Sequence, residues 1–202
     1  MHPNLEKYFR QFVPSRDALL MDLEEEARRE EIPIIGPVVG ELLYMLARVT
    51  QARQILELGT ATGYSAIYLA RACDALEGRL VTLEMNQALA TRAQANFQRA
   101  GLKHRIEVIV GDALDEMTSM NGPFDLIFLD IDKEFYIDAL THCQRLLKRG
   151  GLLVADNVGF KETDNFNRAI FNHSEWKTVH LLSFLPLHSP ENDGLCLAIR
   201  TC

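Results

Sequence analysis

Apolar residues recur along the chain at two spacings, and the switches between them lay out the elements. Short apolar runs at 54–58, 79–84, 105–110, 124–130, 152–157, 177–184 and 195–200 have the length and residue types of strands. From 64 onward, and again at 86–100, 133–148 and 165–172, apolar positions fall three and four apart, the period of a helix face. Ahead of the first strand, 5–13 and 16–31 predict two helices broken at Pro14-Ser15, with Ser15 as a cap, and 38–49 predicts a third. Pro37 suits a first helical position, Asn86 a cap and Gly101 a helix end. The runs 124–130 and 152–157 are almost continuously apolar, as strands covered on both faces are. Strands alternating with helices predict one α/β domain, 1–202, with a doubly wound, Rossmann-like and mostly parallel seven-stranded sheet. The last two strands, joined by a loop, suggest an antiparallel pair at its edge, the C-terminal strand running against the rest.

The stretch from Gln54 to Ser65 ends a strand in two glycines and then becomes a helix, the unit where doubly wound proteins bind nucleotide-like ligands. Gly59 and Gly63 permit a backbone path and a close ligand approach that a Cβ would obstruct. The dinucleotide spacing G-x-G-x-x-G is absent, and no Gly-Lys-Ser/Thr follows the turn, which argues against pyrophosphate and triphosphate ligands. S-adenosylmethionine, a nucleoside without phosphates that carries a sulfonium, fits what remains. Glu84, closing the second strand, is placed to chelate both ribose hydroxyls. Residues 32–37, too rich in proline for a helix and too apolar for a free linker, are expected to lie over the pocket.

Other strand ends also carry acids. Gly111-Asp112-Ala113 places Asp112 either on the adenine amino group or as the cap of the next helix. In a parallel sheet Asp130, Asp156 and Asn157 meet at one edge. Three hard oxygen donors suit Mg²⁺, Mn²⁺ or Ca²⁺ and suit zinc poorly. The alternative reading makes them caps and turn residues.

Charge and cysteine content narrow the field. With 28 acidic against 21 basic side chains, a net −7, the chain has no overall attraction for nucleic acid or an anionic membrane. No apolar run reaches the roughly 18 residues of a membrane span, and Met1-His2-Pro3-Asn4 lacks the apolar segment of a signal peptide, so a cytoplasmic protein is expected. Cys73, Cys143, Cys196 and Cys202 show no paired spacing and read as reduced, mostly buried thiols; the six histidines form no H-x-x-x-H pair and read as satisfied or surface residues.

The blocks ILELGTATGYSAIYLARA, VTLEMN, VGDALD, FDLIFLDIDKEFY and GGLLVADNV resemble, in order and spacing, those of the metal-dependent class I O-methyltransferases that include catechol and caffeoyl-coenzyme A O-methyltransferases. The resemblance spans roughly residues 32–158. It implies a methyltransferase domain in which 51–202 form the cofactor-binding core and 1–50 add helices for pocket cover and contact in a homodimer. It also implies that Ile35, Glu57, Gly59, Thr60, Gly63, Ser65, Glu84, Met85, Asp112, Ala113 and Asp130 surround S-adenosylmethionine, and that Asp130, Asp156 and Asn157 hold the cation. Lys133 then stands as general base, taking a proton from a hydroxyl of a small catechol-like vicinal diol. Two segments depart from the family pattern: 158–164 looks short, and His188-Ser189-Pro190-Glu191-Asn192 is an extra piece interrupting the last strand pair. Residues 32–43 resemble a bacterial branch that methylates 5-hydroxyuridine in tRNA. That alternative acceptor has only Lys7, Arg10, Arg16 and Lys161 as scattered phosphate contacts. A noncatalytic cofactor-binding protein is a third reading, opposed by the intact Lys133, Asp130, Asp156 and Asn157.

Overall fold

In the computed structural model, which describes residues 1–201, all seven apolar runs become strands of one sheet. These are β1 (Gln54–Leu58), β2 (Arg79–Glu84), β3 (Ile106–Val110), β4 (Phe124–Leu129), β5 (Leu147–Ala155), β6 (Trp176–Phe184) and β7 (Asn192–Arg200), in the order β3-β2-β1-β4-β5-β7-β6. β1 to β5 pair in parallel, while β7 pairs antiparallel with both β5 and β6, so it alone runs against the rest. The helices are α1 (Leu5–Phe9), α2 (Ala18–Glu30), α3 (Gly36–Val49), α4 (Tyr64–Asp74), α5 (Gln87–Arg99), α6 (Ala113–Ser119), α7 (Tyr136–Leu146) and α8 (Asp164–Asn172).

Strand periodicity divides the core in two. Ile55, Leu126, Phe128, Leu152 and Val154 face one way, onto α2, α3 and α4 through Leu23, Leu43 and Ile67. Leu56, Leu58, Ile127, Leu129 and Leu153 face the other, onto α7 and α8 through Tyr136, Leu140 and Phe166. Both faces of the central strands are therefore dry, as the continuous apolar runs predict. Asn86 caps α5 by accepting from the N–H groups of Ala88 and Leu89, and Gly101 follows that helix with φ +71°. The thiols of Cys73, Cys143 and Cys196 are free and buried, whereas Cys202 lies outside the described residues. No helix among the described residues is long and apolar enough to cross a membrane.

Several boundaries differ from expectation, three of them for a cause visible in the packing. Asp17, not Ser15, caps α2: its carboxylate accepts from Leu20 N at 3.0 Å and pairs with Arg71 on α4 at 2.5 Å, two contacts for which a charged cap is better suited than a hydroxyl. The helix expected over 133–148 is a 3₁₀ turn at Lys133–Phe135 followed by α7, and Leu147 already belongs to β5. Leu147 pairs with Phe124 ahead of a register shift, and Lys148 pairs with Asp125 of β4 at 2.6 Å, which holds these residues extended. Finally, β7 begins at Asn192, opposite Phe184, so the extra piece does not interrupt the strand pair but falls almost entirely within its hairpin loop, 185–191.

Candidate active site

The parallel strands end along a single edge, and the segments following them enclose a cleft of about 370 Å³. Ile35, Gly59, Thr60, Ser65, Glu84, Met85, Asp112, Ala113, Asp130 and Lys133 all line it, and Pro33 and Ile34 close it from above as expected of the proline-rich segment. Ala61, Thr62, Tyr64, Leu83, Gly111, Leu114, Ile131, Asp132 and Phe135 complete the wall. Tyr64 also donates to Glu24 at 2.7 Å, tying α2 to the rim.

The glycine turn is shaped by packing as much as by ligand access. A Cβ on Gly59 (φ +96°) would come within 2.0 Å of the Asp130 carbonyl oxygen, because β1 and β4 leave the sheet side by side. Gly63 (φ +89°) faces away from the cleft, and its Cβ would meet the Phe97 ring of α5 at 2.4 Å. Of the two turn glycines, Gly59 lines the cleft and Gly63 does not. Between them Ala61 adopts φ +46°, a conformation held by its N–H donating to Glu84 Oε2 at 2.7 Å. Glu84 Oε1 accepts from Asn86 N at 2.8 Å. Two backbone donors thus orient a carboxylate that is only 8% exposed, before any ligand arrives.

Glu57 sits behind the wall, fully buried. Thr60 and Thr82 hydroxyls meet at 2.5 Å, and Thr82 donates to Glu57 Oε2 at 2.5 Å; Glu57 Oε1 has no hydrogen-bond partner among the described residues. Burial pushes its carboxyl up to about 8; the Ser65 and Thr82 hydroxyls oppose that, and the charges of Asp130 and Glu84 add to it. Asp112 caps α6, its Oδ1 accepting from Leu114 and Asp115 N–H groups while it lines the cleft, so capping and lining coexist.

At the next two strand ends each acid already has a partner. Lys133 Nζ donates to Asp130 Oδ1 at 2.8 Å and to Ile131 O at 3.0 Å. Asp156, 1% exposed and behind the cleft wall, meets His188 Nε2 at 2.8 and 3.0 Å. Burial raises the Asp156 pKa, the His188 contact opposes that and Asp130 reinforces it. For His188 burial acts downward, and the Asp156 carboxylate overcomes it and raises the pKa. Asn157, in the left-handed region at φ +51°, directs Nδ2 to Asp193 Oδ2 at 2.5 Å and Ser189 O at 3.4 Å. Both partners are acceptors, so the amide nitrogen must face them and the amide oxygen is turned elsewhere. No three His, Cys, Asp or Glu side chains among the described residues form a ready metal cluster, and Asp130 is turned to Lys133.

Supporting residues escape a sequence reading. Tyr136 O–H lies 3.2 Å from Leu129 O and 3.0 Å from Asp156 O, tying the ends of β4 and β5 together. Asp193 accepts from Gly159 and Gly194 N–H groups as well as from Asn157, locking the segment after β5 to the start of β7. The Asp193-Gly194 pair is visible in the sequence, but as a turn signal rather than a brace.

A parallel sheet whose first crossover carries a glycine turn, with an anchored acid closing the second strand, defines a nucleoside-binding protein of the Rossmann-like methyltransferase class. The O-methyltransferase family model matches residues 14–169, and the chain belongs to that family. It is 47% identical over 120 residues to a catechol O-methyltransferase of Mycobacterium tuberculosis, covering 59% of this chain and 54% of that protein. A catechol O-methyltransferase of Niastella koreensis is 44% identical over 128 residues, covering 61% and 58%. The chain thus spans little more than half the length of these relatives. The O-methyltransferase TomG of Streptomyces achromogenes, solved in complex with S-adenosylmethionine, superposes with a TM-score of 0.87 at 30% identity, covering 98% of this chain and 96% of that one.

Proposed function

We propose that the chain transfers the methyl group of S-adenosylmethionine to one hydroxyl of a small vicinal diol of the catechol type, assisted by a divalent cation. The observation that carries the reading is the placing of Lys133 and Asp130 on the wall of the nucleoside cleft, with Asp156 and Asn157 at the end of the adjoining strand. The relatives named catechol O-methyltransferase support the choice of acceptor. Glu84, already oriented by two N–H groups, takes the ribose hydroxyls, and the nearby Asp130 carboxylate favours a sulfonium over a phosphate.

The donor chemistry fits a hard cation: the Asp130 and Asp156 carboxylates and the Asn157 amide oxygen, which the Asp193 contact leaves unused, would hold it. Once bound, the cation supplies a Lewis acid that makes the diol hydroxyls easier to deprotonate. Lys133 Nζ receives the hydroxyl proton, the oxygen attacks the methyl carbon, and the carbon–sulfur bond breaks to leave S-adenosylhomocysteine and a methyl ether. Pro33, Ile34 and Ile35 shield this alignment from water. The test is methyl transfer to a catechol panel, with EDTA and with Mg²⁺ or Mn²⁺ restored. Full activity in excess EDTA overturns the cation, and transfer to wobble-modified tRNA in place of every catechol reassigns the acceptor.

A further inference from the structure

The hairpin loop 185–191, the stretch that sets this chain apart in sequence, delivers His188 onto Asp156. The His188 side chain is as buried as that of Asp156, each 1% exposed. Its Nδ1 lies 2.6 Å from the Pro190 carbonyl oxygen. A carbonyl only accepts, so Nδ1 carries a hydrogen; Nε2 carries one too while it is paired with the Asp156 carboxylate, and is the nitrogen whose proton a bound cation would displace. Histidines that bind metals are held this way, one ring N–H on a backbone carbonyl and the other nitrogen facing the ion. Nε2 stands 2.8 and 3.0 Å from the two Asp156 oxygens. Donors at right angles around a cation with bonds of about 2.1 Å are about 3.0 Å apart, so the two side chains already have the spacing of neighbouring ligands. The same loop fixes Asn157, through Ser189 O, and the loop is itself braced by Glu191, which accepts from Leu187 N at 2.9 Å and pairs with Arg10 at 2.6 Å.

We infer that His188 is a direct ligand of the divalent cation, turning a three-oxygen set into one of three oxygens and an imidazole nitrogen. This rests on the cation reading above. A nitrogen donor moves preference away from Mg²⁺ and Ca²⁺ and toward Mn²⁺, Co²⁺ and Ni²⁺. Were His188 only an ion-pair partner that neutralises Asp156, no nitrogen would lie on the bound ion.

The experiment uses Mn²⁺ with the full chain, following loss of the free-ion electron paramagnetic resonance signal and then pulsed resonance for nitrogen coupling. The wild type should show imidazole ¹⁴N coupling that changes to the ¹⁵N pattern when histidine is ¹⁵N-labelled. In His188→Ala, with its fold checked by circular dichroism, Mn²⁺ and Co²⁺ should bind about 10- to 100-fold more weakly, and Mg²⁺ less than about threefold more weakly. Asp156→Asn assigns the signal to this site by weakening Mn²⁺ binding and the coupling together. Bound Mn²⁺ without imidazole coupling in the wild type, or with unchanged coupling in His188→Ala, overturns the inference and leaves the cation reading standing. Absence of Mn²⁺ binding to the wild type overturns both. The labelled wild-type measurement decides the matter even where a His188 variant fails to fold.

Discussion

Replacing Glu84 with alanine should cost the protein its nucleoside. Each carboxylate oxygen spends one lone pair on a backbone N–H, of Ala61 at 2.7 Å and of Asn86 at 2.8 Å, and keeps another for a ribose hydroxyl. A hydrogen bond to a charged group contributes about 1.5–3 kcal/mol, so two lost together amount to about 3–6 kcal/mol. At 1.4 kcal/mol per factor of ten, the Kd for S-adenosylmethionine should rise roughly 10²- to 10⁴-fold. The upper end applies if the turn loosens as well, since the Glu84 contact is what holds Ala61 at φ +46°. Glu84→Gln should behave almost as badly, because its amide nitrogen would have to face one of the two N–H donors. Isothermal titration calorimetry with S-adenosylhomocysteine, and with an analogue lacking both ribose hydroxyls, separates the two contributions. The analogue should bind the wild type and a folded Glu84→Ala protein with similar affinity. A Kd within about threefold of wild type for the natural ligand would refute the assignment, and an equal loss for the analogue would reduce Glu84 to a brace for the turn.

Lys133→Met should lower kcat roughly 10²- to 10⁴-fold while leaving cofactor affinity largely intact; the loss should shrink for an acidic acceptor such as a nitrocatechol, and steady-state kinetics showing the same loss for every acceptor would make Lys133 a positioning residue. The Glu57 carboxyl, raised to about 8 by burial, favours folding fully below its ordinary value near 4.5, and that contribution is lost as pH rises through about 8. Glu57→Gln should therefore flatten the decline of Tm between pH 5 and pH 9, gaining on the order of 2–5 kcal/mol over wild type at the alkaline end; parallel Tm–pH curves for the two proteins would show that Glu57 does not titrate in this window. Tyr136→Phe removes the donor that ties Leu129 O to Asp156 O, and should cost about 1–2 kcal/mol in a denaturant melt; no change in the midpoint would mean those carbonyls find other donors.

Much of the fold could be read before the structure because the two periodicities seldom competed. Where they do, the pattern misleads: Leu146 and Leu147 are both buried, so the helical spacing runs on, and only the pairing of Leu147 with Phe124 reveals the strand. Ser15 lost to Asp17 because the partner that favours Asp17 is Arg71, 54 residues further on. In the site, residues at strand ends were legible because topology alone brings them together, as with Glu84 and Asp130. Gly63 was legible as a glycine but not in its reason, since Phe97 belongs to another helix. His188 is legible only as part of a stretch that departs from the family pattern; its meaning depends on a hairpin folding back onto a strand end 32 residues earlier.

The direction of β7 has a practical consequence for changing what the protein accepts. Because β6 runs with β5 and β7 returns, their connection lies at the ligand edge, and both of its ends are clamped by the Phe184–Asn192 pair. Residues can be added to or removed from 185–191 without shifting the register of any strand, and each change lands beside Asp156 and Asn157 rather than in the nucleoside cleft. A replacement loop that keeps His188, Ser189 and Glu191, with Asp193 and Gly194 left in place, offers a route to new acceptors that spares the machinery for the methyl donor.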